Sequence, residues 1–514
     1  MAATSHPLAT QTAIRILQQG GNAMDAAIAA CAVQCVVEPG STGIGGDCFC
    51  MYAPEGSTDL VAYNGSGRAP AAADPETLEA RGVTEIGRHS PHAVTVPGAI
   101  DAWARLQADH GRLQLGDVLA PAIDYAENGF PISSRVHRDF AGQAEFLRDD
   151  PITSAIYLNE GEAPQVGSVL RLPLLANAMK AIAEGGRDEF YTGWIARDIV
   201  EHLQSLGGLH TMEDFASAAG EYVTPIASEF RGRMIHQCPP NGQGVIALLL
   251  LNMMKQMDIE PDGPLTADRI HLEIEASRLA YAARNHYVGD PAFSDIPVEA
   301  LLSEDYARHL VGQIDPARAA SAAPDIALPQ HRHTVYISVV DKDRNACSFI
   351  NTLFFGFGSG ITAPTSGVLL QNRGQGFTLE AGHPNRIAGG KRPLHTIIPA
   401  MATRDGRAGL CFGVMGGQYQ AFGQMQFLTR HFDFGFDLQE AMDLPRFMAD
   451  PFNGVVELEG AIGENVRSEL VRRGHEIVSP AAPVGGSQAI AIDWHNNVLT
   501  GASDPRKDGC AIGY

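Results

Sequence analysis

The pattern of apolar and polar positions divides the chain into a helix-rich first part and a strand-rich last third. Residues 8–37 carry a helical apolar period, broken once at Gly20-Gly21, where Gly21-Asn22 is typical of a helix end followed by a new start. Residues 268–291 repeat apolar side chains at spacings of three and four, which predicts a long helix. After Thr334, short apolar segments alternate with glycine-containing turns, which predicts strands.

Several other segments complete the predicted fold. Residues 47–64 and 92–97 are expected to add strands to the early part of the chain. Two helices are expected among the late strands, near Gln424–Thr429 and Val466–Arg473. The late strand segments are VYISVVD, NACSFINT, SGVLLQN, IIPAMATRDG, AGLCFGVMGG, VVELEG and AIAIDWHNNVLTGASD. This order predicts one α+β unit with helix-covered sheets rather than two independent domains.

Composition and charge narrow the class of protein. A chain of 514 residues, 45% of them hydrophobic, can bury one large core or two ordinary ones. Its net charge of −22 argues against a nucleic-acid surface, because phosphate binding requires a basic footprint. No apolar run approaches the length of a membrane span, and the N-terminus has neither the basic start nor the apolar centre of a signal peptide. A cytoplasmic protein is therefore expected.

The eight cysteines do not follow a metal-binding spacing, since no CxxC pair is present. They lie in mostly apolar stretches, which predicts buried free thiols in a reducing compartment. No metal ion or organic cofactor is expected.

Thr334 joins two segments of opposite character. Residues 321–333, SAAPDIALPQHRH, predict an exposed flexible linker, whereas TVYISVVD begins a strand that a core would bury. The hydroxyl of Thr334 could attack the preceding carbonyl in an N-to-O acyl shift, which would lead to cleavage of the chain. Thr334 would then carry a free α-amine with a pKa of roughly 7.7–8.0. One residue then supplies nucleophile and general base. The alternative is that a threonine starting a strand reflects only β-propensity.

Further groups suited to acyl transfer follow Thr334. The segment GVMGGQ ends a predicted strand in Gly416 and Gly417, whose backbone N–H groups are candidates for an oxyanion hole, although such glycines also mark tight turns. Counting residues across the turn at 341–345 places Thr352 near Thr334 on the paired strand. There its hydroxyl would hydrogen-bond the nucleophile or the new amine.

A series of blocks in a fixed order carries a family resemblance. They are GGNAMDAAIA, GIGGD, VTVPG, LAPAIDYAENGF, PPNGQGVIALLLLNMM, HLEIEASRLAYAARNHYVGDP, the Thr334 segment with VVDKDRNA, SGVLLQN, GGKRPLHTIIPAM and GVMGGQ. Together they resemble the gamma-glutamyltranspeptidase (glutathione hydrolase) family nearly end to end. The resemblance implies an autoprocessed N-terminal-nucleophile hydrolase, an α+β protein with a four-layer αββα core.

The resemblance also implies the division of the chain and the roles of its residues. Residues 1–333 would form a large subunit and residues 334–514 a small subunit, joined as a heterodimer, with a pair of heterodimers as a further option. Thr334 would be the nucleophile and Thr352 its hydroxyl partner. Gly416 and Gly417 would form the oxyanion hole, and no cofactor would be needed.

The residues that hold an α-amino acid in that family are altered here. Its arginine before an Ala-Pro pair corresponds to Ser66, with Arg68 two residues later, and its ammonium-binding acid corresponds to Gly376. Its serine pair after KRPL is His395-Thr396, and its asparagine two residues after the second threonine is Phe354.

These changes predict that the amide-cleaving machinery is kept while the contacts to the substrate differ. Loss of the acid would cost a bound ammonium about 1.5–3 kcal/mol. Arg68 and Arg373 remain to hold a carboxylate in forked geometry, or else to form salt bridges. Residues 378–390 are short and lack a tyrosine, so the lid over the pocket is expected to be reduced. The pocket would suit an acyl group with a carboxylate and no α-amine.

The chain is therefore predicted to be a threonine amidohydrolase or acyltransferase acting on γ-glutamyl or similar small amides, as in glutathione metabolism. One alternative keeps the machinery but acts as a non-glutamyl acylase, like glutaryl-type cephalosporin acylases or oxamate amidohydrolase. Another is a nucleotide-binding protein using GFGSG, residues 356–360, although the helix that a phosphate loop needs is not indicated after it. The last is a binding or scaffold protein that is never processed.

Overall fold

Strands from before and after Thr334 pair with one another in two large sheets. The computed structural model describes residues 1–258, 262–320 and 333–514. One sheet has seven strands in the order β18-β1-β9-β10-β2-β3-β6, and the other has six in the order β17-β16-β12-β11-β8-β7. The strands are β1 (Ala2–Thr4), β2 (Asp47–Ala53), β3 (Val61–Gly65), β4 (Phe130–Pro131), β5 (Val169–Leu170), β6 (Glu221–Val223), β7 (Ile226–Phe230), β8 (Arg233–Gln237), β9 (Val335–Val340), β10 (Ala346–Thr352), β11 (Ala400–Arg404), β12 (Arg407–Met415), β13 (Phe447–Ala449), β14 (Val456–Leu458), β15 (Ile477–Val478), β16 (Gly486–Asp493), β17 (Val498–Ser503) and β18 (Cys510–Ile512).

Helices cover the outer faces of both sheets. α1, α2 and α4 pack on the seven-stranded sheet, with α5 and α9 stacked behind α2, whereas α13 and α17 pack on the six-stranded sheet. The helices are α1 (Pro7–Gln18), α2 (Ala23–Val37), α3 (Pro75–Ala80), α4 (Ala99–His110), α5 (Leu115–Asn128), α6 (Ser134–Ala141), α7 (Ala144–Arg148), α8 (Pro151–Tyr157), α9 (Pro173–Gly185), α10 (Arg187–Tyr191), α11 (Trp194–Ser205), α12 (Met212–Ala216), α13 (Gly244–Lys255), α14 (Ala267–Tyr287), α15 (Val298–Leu301), α16 (Glu304–Val311), α17 (Tyr419–Phe432), α18 (Leu438–Asp443) and α19 (Glu464–Arg472).

The two sheets face each other across a core of their own. Phe49 and Ile350 of the seven-stranded sheet share this core with Met401 and Ile490 of the six-stranded sheet, and all four side chains are buried. Because each sheet buries its second face under helices, the molecule has the predicted four-layer αββα arrangement.

The predicted break in the first helical stretch is confirmed. α1 ends at Gln18, and the Asn22 side chain accepts the backbone N–H groups of Met24 and Asp25, while the Asp25 carboxylate accepts the N–H of Asn22. This reciprocal cap starts α2 cleanly. All fifteen residues of α2 are buried because the helix lies between the seven-stranded sheet and α5.

The hairpin after Thr334 forms as expected from its sequence. β9 and β10 pair antiparallel with Asn351 opposite Val335. The turn is held by Asp341, whose carboxylate accepts the backbone N–H groups of Asp343 and Asn345. The next position outward in the same register places Thr352 opposite Thr334.

Two expectations about local structure were wrong, and the helix α18 was not predicted. Residues 92–97 form no strand, because their backbone bonds reach irregular segments: Val96 N–H donates to the Arg68 carbonyl at 3.0 Å. Within the described residues, SGVLLQN makes isolated bridges, of Leu369 to Thr362 and of Leu370 to Gly45, and no regular strand among them lies beside it. α18 was missed, because its six residues are too few to show a helical period.

Three remaining expectations concern the linker, membrane spans and the cysteines. Of the predicted linker, residues 321–333, positions 321–332 lie outside the described residues. No described helix combines the length and apolar character of a membrane span. All eight cysteines are free thiols, seven of them buried, as predicted.

Candidate active site

Thr334 lies directly before β9 and is buried, with 1% of its surface exposed. Its hydroxyl donates a short hydrogen bond to the carbonyl oxygen of His333, the residue that precedes it. Its Oγ1 also lies 3.3 Å from the Oγ1 of Thr352. The hydroxyl is therefore held beside the peptide group that it would attack.

Thr352 ends β10 and is fully buried. Its Oγ1 accepts the Phe354 N–H at 2.9 Å and lies 3.4 Å from the His333 carbonyl oxygen. Because the Phe354 N–H already uses a lone pair of Thr352, the Thr352 proton is directed to Thr334 or to that carbonyl. The two hydroxyls and the carbonyl form one compact polar group, as the hairpin count predicted for the two threonines.

Gly416 and Gly417 form the turn between β12 and α17. Their φ angles are +119° and +58°, and a Cβ on Gly416 would lie 2.8 Å from the Cα of Gly485. A side chain is therefore excluded at Gly416 both by conformation and by space. The carbonyls of both glycines accept N–H groups of α17, whereas neither glycine N–H donates to another described residue. Such free N–H groups at a helix start suit a developing oxyanion.

A buried polar network fixes this glycine turn from behind. The Gln243 side-chain amide donates to the carbonyls of Gly417 and Thr396, at 3.0 and 2.9 Å. Its oxygen accepts from Arg284 of α14 at 2.8 Å, and Tyr281 of the same helix donates to the Gln418 carbonyl. Gln243 thereby ties the glycine turn to the predicted position Thr396.

Asp47 occupies the strand position opposite Thr352 on β2. Its Oδ1 accepts the N–H groups of Gly67 and Gly98 and the side-chain amide of Gln371, at 2.9–3.1 Å. Its Oδ2 lies 3.1 Å from His395 Nε2. The buried carboxylate thus accepts hydrogen bonds from four donors, which hold it on the strand next to Thr352.

His395 is a neutral, buried hydrogen-bonding group. Its Nδ1 accepts the Ile397 N–H at 3.3 Å, so the proton resides on Nε2 and is donated to Asp47. Burial, reinforced by the nearby charge of Arg373, lowers the pKa of His395 to about 4. At the first position of the serine pair that the resemblance implies, this chain therefore has a neutral histidine that donates a hydrogen bond to Asp47.

Arg373 is brought together with Thr396 and Phe354. Its Nη1 donates to the Thr396 hydroxyl at 3.1 Å, and its guanidinium lies 3.8 Å from the centre of the Phe354 ring. The side chain is fully buried, and burial lowers the pKa of Arg373 to about 9, with Asp47 opposing the shift. Among the residues that the structure describes, its Nε and Nη2 atoms have no hydrogen-bond partner.

Comparison with known proteins identifies the family. The gamma-glutamyltranspeptidase profile matches residues 9–514. The chain belongs to the gamma-glutamyltranspeptidase family. It is 38% identical over 521 residues to the glutathione hydrolase-like YwrD proenzyme of Bacillus subtilis (strain 168), covering 100% of this chain and 98% of the relative. It is 34% identical over 530 residues to the oxamate amidohydrolase proenzyme of Klebsiella pneumoniae, with the same coverage.

A solved structure matches the whole fold. The crystal structure of cephalosporin acylase from Bacillus halodurans has a TM-score of 0.93 and 37% sequence identity, and the match covers 100% of this chain and 96% of that one. The relatives of this chain thus include proenzymes named glutathione hydrolase, oxamate amidohydrolase and acylase.

The family positions that differ in this chain lie in distinct settings. Ser66 is buried, and its hydroxyl accepts the Asn241 side-chain amide at 3.0 Å. Arg68 instead pairs with Asp290 at 3.6 Å and donates to the Gly390 carbonyl at 3.0 Å, with 38% of its side chain exposed. Gly376 lies at the end of a short 3₁₀ turn that begins at Arg373 and presents no acid.

Several residues of the candidate site were missed by sequence reasoning. Asp47, Asn241 and Gln243 each make several buried hydrogen bonds in it. These residues lie in the blocks GIGGD and PPNGQG, which carry the family resemblance but indicated no role for the individual residues. The segment after Gly356–Gly360 forms no helix over 361–370, so a phosphate loop lacks its anion-binding end here.

Proposed function

We propose that this protein is an autoprocessed N-terminal-nucleophile amidohydrolase in which Thr334 is the nucleophile. The observation that carries the proposal is the buried contact of the Thr334 hydroxyl with both the His333 carbonyl and the Thr352 hydroxyl. The acyl shift would take place within one peptide unit, because nucleophile and carbonyl belong to adjacent residues, and the Thr352 hydroxyl lies within reach of both. Substrates are γ-glutamyl or similar small amides.

Maturation follows from this geometry. Thr334 Oγ attacks the His333 carbonyl carbon, the C–N bond breaks, and the nitrogen takes a proton as it becomes the Thr334 α-amine. Water then hydrolyses the ester, which releases His333 as a carboxylate and returns the hydroxyl to Thr334. Residues 1–333 and 334–514 become a large and a small subunit that remain paired as a heterodimer.

Turnover uses the new α-amine as the general base. With a pKa of roughly 7.7–8.0, the amine accepts the Thr334 hydroxyl proton as Oγ attacks the amide carbonyl of a substrate. The N–H groups of Gly416 and Gly417 stabilise the oxyanion, and the proton passes to the leaving amine. Water, or the amine of an acceptor, then resolves the acyl-enzyme to an acid or to a transfer product.

A second candidate substrate class is favoured by the altered pocket. The position of the ammonium-binding acid is Gly376, and Phe354 replaces a polar side chain beside Arg373. Relatives named oxamate amidohydrolase and cephalosporin acylase match the full length of the chain. A non-glutamyl acylase or amidase with the same Thr334 machinery is therefore the alternative to a glutathione hydrolase.

The test of the nucleophile is mass spectrometry of the purified protein. We expect two fragments that divide before Thr334, with Thr-Val-Tyr-Ile at the new N-terminus, and a covalent acyl adduct on the small fragment after mixing with a substrate amide. Thr334→Ala should leave one chain of 54.8 kDa, whereas Thr334→Ser, which keeps a hydroxyl, should still divide. An uncut wild-type chain that turns over amides would refute the proposal.

A further inference from the structure

Three arginines lie side by side across neighbouring strands of the six-stranded sheet. Arg404, the last residue of β11, is paired directly with Arg407, the first residue of β12. β11 also pairs with β8, and the last pair joins Thr403 to Met234. One further step in the same register places Arg404 beside Arg233, the first residue of β8. Because residues that face each other across antiparallel strands point to the same side of the sheet, the three arginines share one face.

The described part of the chain balances this row of positive charge only weakly. Like charges directly opposite each other on two strands destabilise a sheet. Arg404 forms one ion pair, with Asp405 at 3.3 Å, and both side chains are largely exposed, so the pair contributes little. Among the described residues, neither Arg233 nor Arg407 forms an ion pair. Burial, with the charge of Arg404 as the second cause, lowers the pKa of Arg233, as expected for neighbouring cations.

A cavity of about 430 Å³ opens beside this row, past the C-terminal end of α17, and its size is typical of a small-molecule site. Two aromatic rings line it. The guanidinium carbon of Arg233 lies 4.0 Å from the centre of the Phe432 ring, and that of Arg407 lies 4.9 Å from the centre of the Trp494 ring. An apolar part of the lining comes from β11, β12 and β16, namely Ala402, Leu410, Ala491 and Ile492.

The charge of the cavity indicates which acid group fits it. The lining holds three arginines and one aspartate, and the C-terminus of α17 adds only a partial negative charge, so more than one positive charge is left unbalanced. In a chain with a net charge of −22, this excess is local. Guanidinium groups bind phosphate oxygens with paired N–H donors, and a phosphate ester carries close to two negative charges at neutral pH. We propose that this cavity binds a small aromatic phosphate ester, with the phosphate on the row of arginines and the ring against the apolar lining.

This cavity is separate from the site at Thr334. Thr334 directly precedes β9 of the seven-stranded sheet, whereas Ala402 and Leu410 belong to the core between the six-stranded sheet and its helices. No lining residue of the cavity takes part in the contacts of Thr334 with Thr352 and the His333 carbonyl. Binding can therefore be measured without amide turnover, and the inference does not depend on the proposed function.

Three probes separate the contribution of the charge from that of the ring. 2-Naphthyl phosphate carries both, 2-naphthol has the ring system without the phosphate, and inorganic phosphate has the charge without the ring. In calorimetric titrations of the purified protein, we expect 2-naphthyl phosphate to bind at one site per chain and about tenfold or more tightly than either of the others. Its affinity should fall as salt is added, because salt screens the exposed arginines.

Replacement of the middle arginine assigns the binding to the row. Arg404→Gln should weaken 2-naphthyl phosphate binding about 10- to 100-fold and change the affinity for 2-naphthol less than about threefold. Without ligand, the same change should leave the melting temperature unchanged or raise it, because it removes the like-charge contacts with both neighbours. Arg308→Gln is the matched control, since Arg308 on α16 is equally exposed, is paired with Asp305 in the same manner, and lies outside the cavity lining. It should leave binding unchanged.

Several results would overturn the inference. They are no binding of 2-naphthyl phosphate, equal affinity for 2-naphthol, or equal weakening by Arg404→Gln and Arg308→Gln. Equal affinity for inorganic phosphate would refute an aromatic ligand. A clearly lower melting temperature of ligand-free Arg404→Gln would show that the row stabilises the sheet, which contradicts the argument from like charges.

Discussion

Replacing Thr352 by valine tests whether its hydroxyl supports the nucleophile. Valine keeps the volume and branching of threonine in a fully buried position, so the change removes one hydroxyl and little else. Three contacts are lost: to Thr334 Oγ1 at 3.3 Å, to the Phe354 N–H at 2.9 Å and to the His333 carbonyl at 3.4 Å. In the proposed mechanism the contact to Thr334 matters most for rate, because charge would develop on the Thr334 oxygen in the transition state.

The size of the effect follows from the type of bond. A hydrogen bond between neutral groups contributes about 0.5–1.5 kcal/mol, and one to a charged group about 1.5–3 kcal/mol. If the Thr352 bond strengthens as Thr334 Oγ gains charge, Thr352→Val should slow self-cleavage and lower kcat/KM by about 10- to 100-fold. Loss of the acceptor for the Phe354 N–H should also lower the free energy of unfolding by about 1–3 kcal/mol.

The assay follows maturation and turnover separately. The fraction of cut chain is read on denaturing gels over time, and the cut enzyme is then assayed with a p-nitroanilide. Thr352→Ser is the matched control, because it keeps the hydroxyl and loses the methyl group. Wild-type rates in Thr352→Val, or equal defects in the valine and serine variants, would show that the hydroxyl does not act on Thr334.

Three further predictions concern the glycine turn at Gly416, the buried carboxylate of Asp47 and pH. Gly416→Ala should lower kcat at least tenfold, because the new Cβ would lie 2.8 Å from Gly485 Cα and the backbone has a φ of +119°. Gly409→Ala is the control: the nearest atom to its new Cβ would be 3.8 Å away, so kcat should be nearly unchanged in the same assay. Asp47→Asn should lower the free energy of unfolding of the Thr334→Ala precursor by about 2 kcal/mol in denaturant titrations, since an amide N–H would face the His395 N–H. An unchanged free energy of unfolding would show that the Asp47 carboxylate does not stabilise the site through His395. The pKa of His395 is lowered from 6.5 to about 4 in the folded state, so the unfolded chain binds the proton first and stability is lost as pH falls from about 6.5 to 4. The free energy of unfolding falls by an amount on the order of 3 kcal/mol over this range. His395→Asn should reduce the slope of the pH–stability curve there by the equivalent of about one bound proton.

Local rules predicted the parts of the site that depend on neighbouring residues in the chain. The register of β9 and β10 follows from the turn at Asp341–Asn345, so Thr352 could be placed beside Thr334 by counting. The cap at Asn22 followed from residue types that favour helix starts. In both cases the partners are close in sequence, so the physical cause is visible in the sequence itself.

Partners distant in sequence could not be predicted in this way. Asp47 receives its donors from positions as far apart as Gly67 and His395, and Gln243 links the separate turns of Thr396 and Gly417. Residues 92–97 have a strand-like pattern but bond to the loop at Arg68. Only the packing of the sheets decides which of these polar groups meet, and a single sequence does not encode that as a local pattern.

The sheet order explains why a cut before Thr334 would not loosen the site. In the seven-stranded sheet, β1 lies between β18 and β9, and β10 pairs with β2, so strands from before and after the cut pair with each other at three places. In the other sheet, β11 of the late part pairs with β8 of the early part. Separation of the two subunits would therefore break ladders in both sheets and expose the core between them. The new α-amine of Thr334 would form next to a strand that is paired on both edges. Thr334 would therefore gain an ionisable group and keep its position beside Thr352.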